Sequence, residues 1–372
     1  MKKILCYDDA LYLGGHELQT FNALKFLQGK FEIFFIVNKN NANFIELLEQ
    51  LNITIIKIKY ASNRFQILRN YFSIKHIFYL VGLIKKYKID IILNIQGNIE
   101  ISSVMSVAAK FAGVKLVSYI PSCHYLSQVT KGRIISKLKD SINILYFKLP
   151  DSFITINEYN KKLIKKRNNK VPVFIIPNGI DFDKYTIINK NEARNKLNLP
   201  IDKNIIALVG RIQWHKGHDI LIRMIEKYKI ELRNYLFIMV GTGEYEVELR
   251  HLIEMNNLQN YFKLLGHQKN MDLVYNAIDG LVIPSRFEGT PMVLLEALFF
   301  LKPVIMTNLP EMDTYLSSDN LFEKEDIDEF YMKLINMKNK NENNLNKNLV
   351  IELHSIKSFQ MKFYEVLENL TS

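Results

Sequence analysis

Short apolar runs alternate with longer amphipathic segments along most of the chain. Each run holds four to seven residues rich in Val, Ile, Leu and Phe, as in Phe31 to Val37. Runs of this length without polar alternation are typical of strands buried on both faces, which occur in parallel sheets. The predicted strands are Lys3 to Tyr7, Phe31 to Val37, Ile53 to Ile58, Ile89 to Leu93, Lys115 to Tyr119, Ser152 to Thr155, Val173 to Ile176, Ile205 to Val209, Tyr235 to Val240, Tyr261 to Leu264, Gly280 to Ile283 and Pro303 to Met306. Their alternation with helix-length segments predicts an α/β fold with doubly wound parallel sheets.

The segment LVIPSRFEGTPMVLLEAL, from Leu281 to Leu298, carries two carboxylates eight positions apart. Its apolar start ends at Pro284 and predicts a central strand, so the following loop lies where open α/β sheets bind ligands. Glu288 lies on that loop, and Glu296 lies about 1.5 turns into the next helix. Hydroxyl groups are the natural partners of both: a ribose diol for Glu296 and a second sugar for Glu288. The alternative interpretation is a solvated Glu288 and a helix-surface Glu296.

The start of that helix suits an anion. We expect Thr290 to be its N-cap and Pro291 its first residue, where a missing N–H costs nothing. The next N–H groups, on Met292 and Val293, have no acceptor within the helix and lie at the positive end of its dipole. This arrangement predicts a phosphate site.

A second segment, NIIALVGRIQWHKGHDILI, brings two cations to another strand end. The strand turns at Gly210 and is followed by Arg211, Lys216 and a helix that opens near Asp219. The planar fork of Arg and the mobile charge of Lys together suit the oxygens of a diphosphate. The alternative is a solvated basic loop.

Together, G-R-x4-K-G and E-G-x6-E resemble the motifs of the retaining family 4 glycosyltransferases, which have the GT-B fold of two Rossmann-like domains facing across a cleft. The resemblance extends over roughly residues 1 to 316 and is stronger in the carboxyl half. It includes PNGID at Pro177 to Asp181, the segment Val240 to His267, and Gly14-Gly15 after the first strand.

The resemblance implies roles for individual residues. Arg211 and Lys216 would contact the donor diphosphate, Glu288 the donor sugar and Glu296 the ribose. Further donor contacts would come from Gly14, Gly15, Gly210, Gly266, His267, Gly289, Thr290, Met292 and Val293. The candidate for a catalytic histidine of the acceptor-side domain is His124, which lies two to four positions later than expected; the alternative is a structural or surface histidine.

The resemblance also implies the domain organisation. Residues 1–177 would form the acceptor-side domain and residues 178–353 the donor-binding domain, with a helix at 354–372 packing back onto the first. The chain departs from the pattern at Leu301, where the family usually has glycine, and at Leu309-Pro310, where it often has two. We therefore expect a different backbone geometry there and no contact from Glu311.

Charge is distributed unevenly. The chain has a net charge of +11, but residues 1–190 hold 28 Lys and Arg against 13 Asp and Glu, a net of +15. Tyr60 to Lys88 and Thr130 to Lys148 combine cations with aromatic and aliphatic residues, which suits an anionic membrane surface and a lipid-linked acceptor. The alternative is a set of solvated faces over ordinary core helices. Neither segment has a nucleic-acid-binding motif, so no nucleic acid partner is expected.

No apolar stretch reaches the ~18 residues of a membrane-spanning helix, and Met1 to Lys3 precede a strand rather than a signal-peptide core. We expect a cytoplasmic protein, peripheral on the membrane if it binds one. Two cysteines offer neither a disulfide framework nor a metal cluster. Two Asp-x-Asp motifs, at Asp181 and Asp326, lie outside the predicted diphosphate site, so no metal or other cofactor is expected.

The sequence therefore predicts a retaining, metal-independent glycosyltransferase that moves a hexose from a UDP- or GDP-sugar to a surface glycan. The alternatives are an epimerase or inverting transferase with the same fold, and a basic membrane-associated scaffold without activity. A glycosidase, with Glu288 and Glu296 as its paired carboxylates, would have no use for the phosphate-binding features. A nicotinamide-binding role is not favoured, because Gly241-Thr242-Gly243 lacks the third glycine of that fingerprint.

Overall fold

A computed structural model describes residues 1–60, 70, 72–125, 133–337 and 342–371 of the chain. The chain divides into two compact units. Unit 1 comprises Met1–Ile180 and Ile356–Ser372, and unit 2 comprises Asp181–Ser355. Parts of the two predicted basic segments, at 61–69, 71 and 130–132, lie outside the described residues.

Unit 1 is built on a seven-stranded, wholly parallel sheet. Its strand order is β3-β2-β1-β4-β5-β6-β7, so the chain reverses direction across the sheet beside β1. Every strand continues as a loop at the same edge of the sheet, because parallel strands all point the same way. The strands are β1 (Lys3–Asp8), β2 (Glu32–Asn38), β3 (Thr54–Ile58), β4 (Ile91–Ile95), β5 (Lys115–Tyr119), β6 (Ser152–Thr155) and β7 (Val173–Ile175).

Helices cover both faces of this sheet. Alternate residues of β1 show the division, since Leu5 packs into one core and Ile4 into the other. The first layer consists of α3 (Ile74–Tyr87), α4 (Ser103–Ala112), α5 (Arg133–Phe147) and α6 (Glu158–Arg167). The second consists of α1 (Gly15–Leu27), α2 (Ala42–Leu48) and the carboxyl-terminal α14 (Ile356–Thr371).

The carboxyl-terminal helix is part of the core of unit 1. Phe359, Phe363 and Leu367 of α14 are buried in the second layer, four residues apart on one face. The amide of Ile356 also donates to the carbonyl of Ile180 over 2.9 Å, where the chain leaves unit 1. The predicted helix at 354–372 thus begins two residues later, because α13 ends at His354.

Unit 2 has a six-stranded parallel sheet in the order β10-β9-β8-β11-β12-β13. The strands are β8 (Asn204–Val209), β9 (Tyr235–Val240), β10 (Phe262–Gly266), β11 (Gly280–Ile283), β12 (Val304–Thr307) and β13 (Leu321–Phe322). The helices are α7 (Lys190–Lys196), α8 (His218–Lys227), α9 (Glu246–Met255), α10 (Met271–Ala277), α11 (Met292–Phe299), α12 (Ile327–Ile335) and α13 (Glu342–His354). The strand order again reverses beside β8, so the loops after β8 and β11 are neighbours.

The predicted α/β class and doubly wound sheets are confirmed. Twelve strands lie within two residues of their predicted ranges, and the two-residue β13 was missed because it carries no pattern long enough to recognise. Among the described residues, no helix has both the length and the apolar character needed to cross a membrane.

Candidate active site

The loops that follow β8 and β11 are tied together by a buried arginine. The guanidinium of Arg286 donates two hydrogen bonds to the Asp219 carboxylate, at 2.8 and 2.6 Å. It also donates to the Trp214 carbonyl at 2.6 Å and to Glu325 at 2.7 Å. Its side chain is only 6% exposed and lies over the Trp214 ring, 4.2 Å from the centroid. Arg286 therefore fixes the two loops against each other.

Backbone contact between these loops is equally close. The Arg286 amide donates to the His215 carbonyl over 2.7 Å. Gly217 has a φ of +73°, and a Cβ built on it would lie 1.9 Å from the Pro284 carbonyl oxygen. Any other residue at Gly217 would both strain the backbone and separate the loops.

Lys216 and Glu288, two of the charged residues predicted on these loops, form an ion pair. The Lys216 Nζ lies 2.6 Å from Glu288 Oε1, and the two side chains are 21% and 11% exposed. Ser285 Oγ donates to the same carboxylate oxygen over 2.8 Å. Glu288 is thus held in place, and its interpretation as a solvated side chain is wrong. Arg211 lies on the same loop as Lys216 and is exposed.

Helix α11 starts one residue later than predicted. Pro291 is its N-cap, with φ −69° and ψ 127°, and Met292 is its first residue. Thr290 is buried, and its side chain hydrogen-bonds to Tyr315 instead of capping the helix. The expected N-cap at Thr290 is therefore wrong. Met292 and Val293 nevertheless open the helix, Gly289 lies just before it, and their position at its positive end is unchanged.

Glu296 is held by two tyrosines that the sequence analysis missed. Tyr185 donates to Oε1 over 2.7 Å, and Tyr275 donates to Oε2 over 2.6 Å. Burial raises the pKa of Glu296, while the hydrogen bonds from Tyr275 and Tyr185 oppose that increase. An ionised carboxylate has about four lone-pair sites, so each oxygen keeps one for a further donor. Two such sites on adjacent oxygens match a diol.

The only sequence signal for Tyr185 was its place four residues after the PNGID segment, and none marked Tyr275. The interpretation of Glu296 as a plain helix-surface residue is wrong. Burial and the charge of Glu296 raise the pKa of Tyr185, so both tyrosines stay protonated donors.

Three glycine loops lie side by side at the same sheet edge, after β8, β9 and β10. The Gly210 amide donates to the Val240 carbonyl over 2.9 Å, and the Gly241 amide donates to the Gly266 carbonyl over 2.8 Å. A Cβ on Gly241 would lie 2.0 Å from the Gly210 carbonyl oxygen, so this packing requires glycine. His267 follows on the third loop and is exposed. The loop of Gly266 and His267, which the resemblance assigns to donor contacts, therefore lies at the edge that carries Lys216.

The remaining predicted residues lie in unit 1. Gly14 is the N-cap of α1, and its amide donates to Glu17 over 2.8 Å. A Cβ on Gly15 would meet nothing within 4 Å in this structure. His124 follows β5 and lies 5.9 Å from the Tyr159 ring, between centroids. The donor role of the glycines and the catalytic role of His124 stay predictions.

An acidic cluster beside Gly14 was also missed. Asp8 and Glu17 are fully buried, and His16 Nδ1 lies 3.1 Å from Glu17 while Nε2 lies 3.9 Å from Asp8. Burial and the charge of Glu17 raise the pKa of Asp8 well above its usual value. Within the described residues this is a group that could offer three ligand atoms to a cation. Its visible role is to hold Glu17 against the Gly14 amide.

Leu301 keeps a glycine-type conformation. Its φ is +57°, and its amide and that of Lys302 bond to Leu298 and Ala297 over 3.1 and 2.9 Å. These two bonds form the Schellman motif that ends α11. The expectation that the backbone departs from a glycine geometry at Leu301 is wrong: the leucine accepts the strain.

Two family models match the chain in succession. "Glycosyltransferase Family 4" matches residues 13–184, and "Glycosyl transferases group 1" matches residues 189–350. The boundary between the two matches falls close to the division between the units, and the second match contains both strand-end loops of the site.

Curated relatives match most of the chain. A UDP-Gal:alpha-D-GlcNAc-diphosphoundecaprenol alpha-1,3-galactosyltransferase of Escherichia coli is 28% identical over 275 residues, 71% of this chain and 70% of that protein. An N,N'-diacetylbacillosaminyl-diphospho-undecaprenol alpha-1,3-N-acetylgalactosaminyltransferase of Campylobacter jejuni is 26% identical over 293 residues, 75% of this chain and 73% of that protein.

Solved structures share the fold across the whole chain. Anabaena HepE, in complex with UDP and glucose, superposes with a TM-score of 0.80 at 17% identity, covering 99% of this chain and 100% of HepE. A sucrose-phosphate synthase of Thermosynechococcus elongatus superposes with a TM-score of 0.79 at 14% identity, covering 100% of this chain and 99% of that one. The chain belongs to the family 4, or group 1, glycosyltransferases and has the two Rossmann-like units of the GT-B fold.

Proposed function

We propose that this glycosyltransferase transfers a hexose from a UDP-sugar to a lipid-linked saccharide, with retention of the anomeric configuration and without a metal ion. The main support for a nucleotide-sugar donor is that a cation, the start of a helix and a carboxylate held by two tyrosines lie at one edge of the sheet. Lys216, the first turn of α11 and Glu296 supply what a diphosphate and a ribose each need.

Lys216 and Glu288 form an ion pair, and each would exchange the other for a group of the donor when the donor binds. A diphosphate would draw the Lys216 ammonium, with Arg211 adding a second cation from the same loop. Glu288 would keep its bond from Ser285 and accept a hydrogen bond from a hydroxyl of the donor sugar in place of the one from Lys216. As the glycosidic bond breaks, the cations and the N–H groups of Met292 and Val293 would stabilise the charge that develops on the leaving diphosphate.

Metal independence rests on where the carboxylates of the two Asp-x-Asp motifs are engaged. Asp181 pairs with Lys184 at 2.9 Å, and Asp326 caps α12 by accepting from the Asp328 and Glu329 amides. Asp328 pairs with Lys227 at 2.6 Å. None of these contacts involves the loop that carries Lys216, so Lys216 and Arg211 are the simpler source of charge to neutralise the leaving diphosphate.

The acceptor class rests on the relatives and on charge. Two relatives act on saccharides linked to diphosphoundecaprenol, as their names state. Such an acceptor carries an anionic diphosphate and a lipid, and residues 1–190 have a net charge of +15. The enzyme would then work at the inner face of the cell membrane. Retention is proposed because of the family resemblance and the alpha linkages that both relatives are named for.

The experiment is transfer from radiolabelled UDP-galactose, UDP-glucose, UDP-N-acetylglucosamine or GDP-mannose to a polyprenyl-diphosphate saccharide, with and without EDTA. We expect transfer from one UDP-sugar, unaffected by EDTA, to an alpha-linked product identified by proton NMR. Arg211→Ala/Lys216→Ala should abolish it, whereas Lys227→Ala/Arg250→Ala removes the same charge from exposed helix positions and should not.

The possible failures are distinct. A beta-linked product would contradict retention, and loss of activity in EDTA that added Mn²⁺ restores would contradict metal independence. Conversion of the UDP-sugar to its epimer without transfer would indicate the epimerase alternative. No turnover and no nucleotide binding by a folded protein would favour a scaffold without activity.

A further inference from the structure

An apolar groove with exposed aromatic rings lies on the outer surface of unit 1. It encloses about 320 Å³ between α3 and α4 and is lined by Phe72, Ile74, Ile77, Phe78, Val107 and Phe111. Phe72, Phe78 and Phe111 are 68%, 67% and 70% exposed. A single exposed aromatic ring is ordinary, but three around one groove form a contiguous apolar patch, which marks an interaction site.

Lysines lie beside this groove on both of its helices. Helix α3 carries Lys75, Lys85 and Lys86, all exposed, and no Asp or Glu. At 100° per residue, these lysines share the exposed face of α3 with Ile74 and Phe78. Helix α4 adds Lys110 beside Phe111 and has no acid of its own, although Lys110 pairs with Asp151 at 3.0 Å. The uncompensated charge beside the groove therefore comes from α3. The surface is therefore apolar and cationic at the same positions.

The charge belongs to one helical layer of unit 1. Helices α3 to α6, which pack on one face of the sheet, hold twelve Lys and Arg against two Asp and Glu. Helices α1, α2 and α14 on the other face hold three Lys against four Glu. A general excess of lysine in the sequence would place similar numbers of lysines on both layers. The difference between the layers therefore indicates that one face meets an anionic partner.

The same layer carries a second exposed apolar stripe. Leu138 and Leu145 of α5 are 65% and 50% exposed and lie seven residues apart, close to two turns of helix. Lys137 and Lys148 flank them. Exposed apolar side chains beside lysines therefore extend from the groove between α3 and α4 to α5.

We propose that the face formed by α3, α4 and α5 is a membrane-docking surface that seats Phe72, Phe78 and Phe111 in the headgroup region of an anionic bilayer. Aromatic rings set among lysines are the composition of interfacial membrane-binding surfaces, where apolar burial and attraction to anionic lipid add. A nucleic acid would use the cations but leave the aliphatic lining without a partner. This inference rests on the proposed function, since a lipid-linked acceptor is presented at such a surface.

The test is sedimentation of the full chain with vesicles of phosphatidylglycerol mixed with phosphatidylcholine, or of phosphatidylcholine alone. We expect binding to the mixed vesicles that weakens with salt, and little binding to the neutral ones. Lys85→Glu/Lys86→Glu and Phe78→Ser/Phe111→Ser should each lower the partition coefficient about tenfold or more.

Control positions lie on the opposite layer of the same unit. Lys357→Glu and Met361→Ser change one exposed lysine and one 45% exposed apolar residue of α14. They should bind vesicles like the unaltered protein. A Phe78→Trp variant adds one tryptophan to the single natural Trp214. Its fluorescence should be quenched by brominated lipid, which would show that this ring enters the bilayer.

Vesicle binding that is equal in all variants would overturn the proposal, as would a Phe78→Trp signal that brominated lipid leaves unchanged. So would dimerisation that the Phe78→Ser/Phe111→Ser variant abolishes, or binding to RNA without binding to vesicles. The outcome is separable from the donor site: vesicle binding with no UDP binding would contradict the proposed function, and UDP binding with no vesicle binding would contradict only the docking surface.

Discussion

Replacing Arg286 should loosen the donor site and destabilise unit 2. Arg286→Met keeps the length and apolar contacts of the side chain but leaves Asp219 without its two donors at 2.8 and 2.6 Å. It also leaves the Trp214 carbonyl without the donor at 2.6 Å. The result is a carboxylate 17% exposed that has lost its buried counter-charge.

The magnitude follows from the burial. Breaking a buried ion pair by removing one partner costs about 3–5 kcal/mol, because the remaining charge is left uncompensated. Arg223 provides the control, since it also contacts Glu325 but is 46% exposed. Exposed pairs contribute about 0–1 kcal/mol, so Arg223→Met should be close to neutral. At roughly 2–4 °C per kcal/mol for a unit of this size, Arg286→Met should lower the melting temperature by about 6–20 °C.

The assay is thermal unfolding of the full chain together with UDP titration by calorimetry well below the transition. Arg286→Met should also weaken UDP binding in protein that is still folded, because Lys216 and Glu288 lie on the loops it joins. Arg286→Lys, which keeps the charge but not the bidentate geometry, should recover only part of both losses. Equal melting temperatures for the Arg286 and Arg223 variants would refute the reasoning.

Three further predictions concern single residues. Leu301→Gly should raise the melting temperature by about 2–4 °C, equivalent to about 1 kcal/mol, because glycine takes the +57° φ without strain. Differential scanning calorimetry measures this, and an unchanged or lower melting temperature would contradict the prediction. Tyr275→Phe removes the hydrogen bond that orients Glu296, so it should weaken UDP binding roughly 3- to 10-fold. The affinity for a nucleotide without ribose hydroxyls should stay unchanged. Equal losses for both nucleotides would count against a ribose contact. Burial, with Lys216 nearby, lowers the pKa of His218 from 6.5 to about 4. As the pH falls, the unfolded chain therefore binds a proton at this histidine before the folded chain does. The free energy of unfolding, measured by urea titration, should fall by about 3 kcal/mol between pH 6.5 and pH 4. His218→Asn should reduce this dependence on pH, and an unchanged dependence would contradict the prediction.

The sequence was sufficient for twelve of the thirteen described strands and for placing Lys216 and Glu288 at strand ends. Strand runs such as Tyr235 to Val240 are apolar on both faces, a pattern typical of strands in a covered parallel sheet. The ion pair of Lys216 with Glu288 joins residues 72 positions apart, yet both lie at strand ends, and the fold brings strand ends together.

The supporting residues could not be predicted in the same way. Tyr185 and Tyr275 approach Glu296 from segments 111 and 21 positions away, and no local periodicity marks them. Arg286 looks like a solvated loop cation until its partner Asp219, 67 positions away, is known. The N-cap error at Thr290 has a similar cause, because a tertiary hydrogen bond to Tyr315 competes with local capping.

The central claim is that unit 2 binds a nucleotide diphosphate through Lys216 and Arg211 and its ribose through Glu296. Isothermal titration of UDP into the full chain, beside Arg211→Ala/Lys216→Ala and Glu296→Gln, tests it most directly. We expect binding by the unaltered protein in the presence of EDTA, no detectable binding by the double variant and a weakened affinity for Glu296→Gln. Unchanged UDP affinity in the folded double variant would contradict the account.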